Sequence, residues 1–269
     1  MFEESTFSDI VVSIHGNGDE TSLELHRSVL AHSCEYFKGM LTRDFSEAEA
    51  EKVSCEVAQG SSVAATAAVI QYLYTAQISI SGDTVMEILA AADKLQLQHL
   101  RESCTSFLER SLNPTNVCSI LKACQQLDLT DLKAKCSLCI EENGTAVMQS
   151  GGLNELSKES VIALISNDKL IAKEEEVFEA VAMWGEAAKG NGTAADAVAD
   201  ILAHIRFDEM EHSFLHKRVR QSGLVSSEVV LDAMMKMMDE VKSGTKRAFD
   251  GDGGSGSGAA RPKKRRRAG

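Results

Sequence analysis

The run Asp9 to Ile14 is mostly apolar and the run Ser22 to Leu25 alternates polar with apolar, on either side of Gly16-Asn17-Gly18-Asp19. Two short apolar-rich runs around such a turn-forming tetrad predict strands joined as a hairpin. From Ser28 the period lengthens. Val29 and Leu30 belong to one short helix, and Ser33 is the expected N-cap of a second that carries Tyr36, Phe37, Met40 and Leu41 on one face. Residues 52 to 57 read as a third strand. Ser61 or Ser62 caps a helix with Val63, Ala67, Ile70, Leu73 and Tyr74 as its expected buried face. Val85, Ile88, Leu89 and Ala92, then Leu97, Leu100, Cys104, Phe107 and Leu108, predict a helix pair that closes a first unit near residue 112.

Asn113-Pro114 opens a new helical series, with a capping side chain followed by a proline whose missing N–H costs nothing at the first helical position. Successive stripes follow: Val117, Ile120, Leu121 and Cys124; Leu132, Cys136, Cys139 and Ile140; Val161, Leu164 and Ile165; Val177, Val181 and Trp184; Val198, Ile201, Leu202 and Ile205. Short amphipathic helices with short loops pack as an all-α array. A last helix after Ser226 or Ser227 carries Val230, Ala233, Met234, Met237, Met238 and Val241 on its apolar side. From about Ser243 the composition turns to Gly, Ser and Asp and then to basic residues, the signature of a flexible tail.

Composition sharpens this picture. Two prolines and 5% aromatic residues, against abundant Ala, Leu, Val and Glu, disfavour an all-β protein. Seven cysteines, an odd number scattered through helical segments, suggest reduced thiols in the cytosol or nucleus. No apolar run approaches the ~18 to 20 residues that span a bilayer, and the N-terminus is acidic, so neither secretion nor membrane insertion is expected. Charge is uneven. Residues 246 to 269 hold eight basic groups and two acids, a net of +6, which leaves −18 on residues 1 to 245 out of the chain's −12. A body that acidic repels phosphate backbones, so no direct nucleic-acid partner is expected of the folded part.

Four segments, FSDIVV at 7 to 12, LHRSVLAHSCEYFKGML at 25 to 41, YLYTAQISI at 72 to 80 and AADKLQLQHL at 91 to 100, resemble a BTB (POZ) domain in content, order and spacing. Asn113 to Cys124, SNDKL at 166 to 170, EEEVFEAVAMW at 174 to 184 and IRFDEM at 205 to 210 resemble a BACK domain. The resemblance runs from about residue 5 to 215. It implies an α+β BTB/POZ domain at 1–112, an all-α BACK helical domain at 113–242 and a disordered basic tail at 243–269, the layout of the N-terminal half of kelch-like adaptors. It further implies a homodimer formed through the N-terminal strand and first helix, with Phe7, Asp9 and Arg27 at the interface and Asp9 paired with Arg27 in a charged pocket. Cullin-3 adaptors of this family carry a hydrophobic-x-Glu motif after the helix containing Tyr36, and Phe45-Ser46-Glu47 stands there, with Tyr36 and Tyr74 as further candidates for the cullin contact. Ala76 departs from the family, standing where many relatives have Gly in a YTG turn.

Pro262, Lys263, Lys264, Arg265, Arg266 and Arg267 resemble a nuclear localisation signal that importin would read, placing the protein in the nucleus; the alternative is a solvated tail or an electrostatic DNA clamp. Cys136 and Cys139 form the chain's C-x-x-C but lack a second pair at ligand spacing, so they read as core thiols, and no metal or other cofactor is expected. Cys34, Cys55 and Cys104 have few basic neighbours in sequence to activate them. No catalytic Ser/His/Asp, Cys/His, phosphate-loop or H-E-x-x-H arrangement is recognisable, which points away from an enzyme. The expectation is a substrate adaptor of a cullin-3 ubiquitin ligase with an unknown protein substrate and no membrane partner. The rival is a nuclear scaffold or transcriptional co-regulator that uses the BTB dimer and never meets a cullin.

Overall fold

A computed structural model describes residues 7–16, 18–41, 50–188 and 194–249. The chain divides into two compact units, residues 1–111 with 126–132, and residues 112–125 with 133–269.

In the first unit, β1 (Ile10–Gly16) and β2 (Asp19–Leu25) form the expected hairpin, with Gly18 at φ 89° in the connection. β3 (Lys52–Glu56) then pairs parallel to the other edge of β1, giving the order β2-β1-β3. The parallel return needs a crossover, which α1 (Arg27–Ser33) and α2 (Glu35–Leu41) begin. One face of the sheet sets Ile10, Val12, Ile14, Leu25, Val53 and Cys55 into the core, each at most 2% exposed. α3 (Val63–Thr75), α4 (Val85–Lys94) and α5 (Gln98–Ser111) complete the unit, with Leu30, Phe37, Ile70, Leu89, Leu95 and Leu100 fully buried. Each such side chain contributes about 1.5 to 3 kcal/mol of transfer free energy.

Two details differ from the sequence reading. Ser33 is the last residue of α1, and Cys34 takes the cap position of α2: its backbone is extended (φ −146°, ψ 116°), its carbonyl accepts the Lys38 N–H at 2.9 Å and its thiol is buried. A small apolar residue wins because the break between the helices points inward. On α3, Ser62 is the cap, its Oγ accepting the Ala65 N–H at 3.1 Å, but the buried face is Ala65, Thr66, Val69 and Ile70. Val63, Ala67, Leu73 and Tyr74 are half-buried. VAATAAVIQYLY is apolar almost all the way round, so its periodicity does not select a face.

In the second unit Asn113 and Asn116 cap each other reciprocally: Asn113 Oδ1 accepts from Thr115 N at 2.9 Å, and Asn116 Oδ1 accepts from Asn113 N at 2.9 Å. The turn leads into α6 (Val117–Gln126), followed by α7 (Thr130–Glu142), α8 (Gly144–Gln149), α9 (Lys158–Ile165), α10 (Glu174–Ala188) and α11 (Ala194–Leu202). The predicted stripes are buried, apart from Cys139, which is half-buried. The short α8 carries no periodic signal and is held by a tertiary backbone bond, Thr145 N to Ile171 O at 3.1 Å, while Ile171 N bonds Glu141 O of α7 at 3.2 Å. A Cβ on Gly144 would lie 2.6 Å from the Ile171 carbonyl oxygen, so only glycine fits. α12 (His212–Phe214) and α13 (Arg220–Ser222) flank a π-helical stretch, Leu215–Val219. α14 (Ser227–Phe249) runs through residues 243 to 249, which the sequence reading had placed in the flexible tail. Among the described residues no helix is long and apolar enough to cross a membrane.

The departure at Ala76 has a structural answer. Ala76 ends α3 in the left-handed conformation, φ 53° and ψ 20°, with its N–H on Tyr72 O at 2.8 Å. The turn is therefore built as a glycine would build it, with the Cβ strain retained. Ala76→Gly is expected to raise unfolding free energy by about 0.5 to 1 kcal/mol; an unfolding titration in urea checks this, and a loss of stability would contradict it.

Candidate functional site

The residues expected at the dimer contact meet at the start of α1. Asp9, just ahead of β1, is fixed by its own N–H on Leu25 O at 3.1 Å. Its Oδ1 accepts the Arg27 backbone N–H at 2.8 Å. His26, the α1 cap residue, makes no side-chain cap of its own, so a carboxylate from another element supplies what the helix start lacks. The Arg27 side chain reaches back with Nε to Asp9 O at 3.4 Å and with its guanidinium to the Ala50 carbonyl. One residue thus ties together the strand β1, the helix α1 and the approach to β3. Beside it, Tyr74 Oη accepts the His26 N–H at 2.8 Å and lies 3.4 Å from His26 Nδ1. Burial, first of all, raises the Tyr74 hydroxyl above its ordinary pKa, and nearby Asp9 adds to this. Phe7 precedes the cluster, 92% exposed and at φ 66°.

Tyr36 is in a different place. It is half-buried on α2, stacks edge-on against Phe37 with ring centroids 5.3 Å apart, and lies beside Cys55 of β3. Cys34 lies close by and donates its thiol to Leu95 O at 3.2 Å. Burial pushes the Tyr36 hydroxyl up to about 12, helped by Cys55, Cys34 and Glu56. Phe45 and Glu47, and the basic run Pro262, Lys263, Lys264, Arg265, Arg266 and Arg267, lie outside the described residues.

The face of the sheet turned away from the core carries a pattern that the strands show only once their register is known. Three cross-strand rows stand on it: Glu24–Val11–Lys52, Ser22–Ser13–Ser54 and Glu20–His15–Glu56. Ser13 and Ser22 hydroxyls are 3.0 Å apart, and Ser54 Oγ is 3.1 Å from His15 Nδ1. Nothing in a single strand tells which residues of β3 will stand beside it.

The cysteines are core groups. Burial raises the thiols of Cys34, Cys55, Cys104 and Cys118, the last two to about 11. Lys94, whose Nζ donates to Glu56 O at 2.6 Å, is a basic neighbour of Cys55 that sequence distance concealed, and it opposes but does not outweigh burial. The Cys124 and Cys136 thiols are neighbours, and their interaction raises Cys136 and lowers Cys124. Among the described residues no three His, Cys, Asp or Glu groups are placed to hold a metal ion. His212 and His216 are exposed, and Trp184 is packed, with Nε1 donating to Leu156 O at 3.0 Å.

Family comparison joins these observations. Residues 1–112 match the BTB/POZ domain, and residues 117–220 match BACK, BTB And C-terminal Kelch. The chain belongs to the BTB-BACK family, as its motifs suggested. It is 33% identical over 210 residues to Kelch-like protein 3 of Homo sapiens and of Mus musculus and to Kelch-like protein 2 of Homo sapiens, an alignment covering 78% of this chain and 35% of each relative. The chain therefore spans about a third of the length of these relatives. The BTB domain of human Gigaxonin aligns with a TM-score of 0.32 and 26% identity over 38% of this chain and 78% of that one.

Because the Tyr36 hydroxyl sits near 12 in the folded chain and near 10 in an unfolded one, folding favours its protonated form. That contribution is complete below pH 10 and is lost as pH rises toward 12. Between those values the stability of the wild type should fall more steeply than that of Tyr36→Phe, as read from denaturant midpoints; parallel slopes would refute the assignment.

Proposed function

We propose that the chain is a homodimeric substrate adaptor of a cullin-3 RING ubiquitin ligase. The reading is supported chiefly by the domain pair, BTB over 1–112 and BACK over 117–220. Between α2 and β3, where the resemblance places the hydrophobic-x-Glu motif, the sequence has Phe45-Ser46-Glu47. An aromatic ring that fills a partner pocket and a carboxylate that hydrogen-bonds beside it have the composition of a binding hot spot. The chain itself performs no chemistry in this reading. It brings a substrate protein to the ligase, and pairing through the region of Phe7, Asp9 and Arg27 doubles the sites, raising effective concentration for a substrate with two contacts. Importin, reading residues 262 to 267, delivers the complex to the nucleus.

Phe45→Ala and Glu47→Lys should each weaken cullin-3 binding by about tenfold or more in calorimetric titration, while light scattering still reports a dimer. Unchanged affinity in both variants sinks the cullin reading. A wild type that dimerises without binding cullin-3 would instead fit the nuclear scaffold.

Replacing Lys263 to Arg267 by alanine should shift a fluorescent fusion from nucleus to cytoplasm. Retained nuclear signal in a fusion too large to diffuse would overturn the import assignment.

A further inference from the structure

The helix α14 has two apolar arcs. One, with Val230 and Ala233, is buried as α14 packs against the Phe207–Glu209 turn and the Leu215–Val219 stretch. The second is uncovered: Leu231, Met235 and Met238 are 59%, 65% and 58% exposed. Their spacing of four and three residues sets them in one line along the helix, about 10 Å long at 1.5 Å per residue. Glu228, Asp232 and Asp239 flank this line, all exposed, and Lys236 stands farther round. The half-buried Met234 connects the exposed line to the buried arc, which Met237 shares.

We infer that this stripe is a docking site for a basic amphipathic helix of a partner protein. A straight line of apolar residues at helical spacing receives another helix laid along it. Three methionines within reach, Met234, Met235 and Met238, give a surface that adapts to different side chains. The acidic flank selects the charge of the occupant, since a helix with Lys or Arg beside its apolar seam neutralises Glu228, Asp232 and Asp239, whereas an acidic one meets repulsion. The same reasoning disfavours antiparallel pairing with a second copy of this chain, which would set the two acidic flanks side by side. The basic run at 261 to 267 lacks apolar residues and does not supply the seam.

The test is fluorescence anisotropy on the full chain with two synthetic 14-residue amphipathic helices, one of Leu and Lys and its counterpart with every Lys replaced by Glu. The Leu/Lys peptide should bind saturably at one per chain, and the Leu/Glu peptide more weakly. Met235→Gln with Met238→Gln should weaken binding by about tenfold. Asp232→Asn with Asp239→Asn should weaken it less and flatten its salt dependence. All four positions are exposed, and unchanged thermal melting verifies the fold. Lack of saturable binding, equal affinity in the methionine variant, or equal affinity for the two peptides overturns the proposal. So does self-association of the wild type that the methionine variant abolishes. No cullin enters the titration, so its outcome is independent of the ligase reading.

Discussion

Strand β1 is hydrogen-bonded along both edges, antiparallel to β2 on one side and parallel to β3 on the other, and the first unit follows from that double pairing. Its backbone groups are paired on both sides, and its face carrying Ile10, Val12 and Ile14 is turned into the core, with Val12 and Ile14 fully buried. The parallel partner imposes a crossover, and the crossover needs helices. Those helices in turn need their first amides satisfied, and Asp9, held just before β1, does this for α1 through the Arg27 N–H. Sheet topology and the charged cluster are thus one arrangement viewed at two scales.

This explains why the cluster has a structural meaning before any partner is considered. Asp9, Arg27, His26 and Tyr74 exchange hydrogen bonds within one chain. Whatever the surface contacts, it presents a shape fixed in advance, which lowers the ordering cost of association.

Much of the fold was legible because its helices are amphipathic and its hairpin is marked by Gly16 and Gly18. The stripes at Val117 to Cys124 and Val177 to Trp184 lie inside as the period implies. What escaped had physical reasons. α3 is apolar on nearly every side, so neighbours rather than pattern choose its buried face. α8 is held by a backbone bond from Thr145 to Ile171, which leaves no trace in local sequence. The π-helical turn at Leu215–Val219 keeps Leu215 and Val219 buried while exposing His216, Lys217 and Arg218, a spacing a four-residue period also allows. The motifs around Asp9 and Arg27 pointed to the candidate site, but the exchange that holds it, a carboxylate on a backbone amide, required knowing that residues eighteen apart are neighbours.

The triplet Glu174-Glu175-Glu176 looks in sequence like a run of charge at a helix start, but each carboxylate has a separate task. Glu176 accepts from the Lys173 N–H at 3.0 Å and from Thr145 Oγ1 at 2.8 Å, Glu174 from the Arg206 N–H at 3.2 Å, and Glu175 from the Glu211 N–H at 2.7 Å. Three stretches far apart in sequence are fastened at one helical turn. Amide protons at 206 and 211 are therefore tied to the integrity of that turn, and transient fraying there would release both into exchange with solvent as a single cooperative opening.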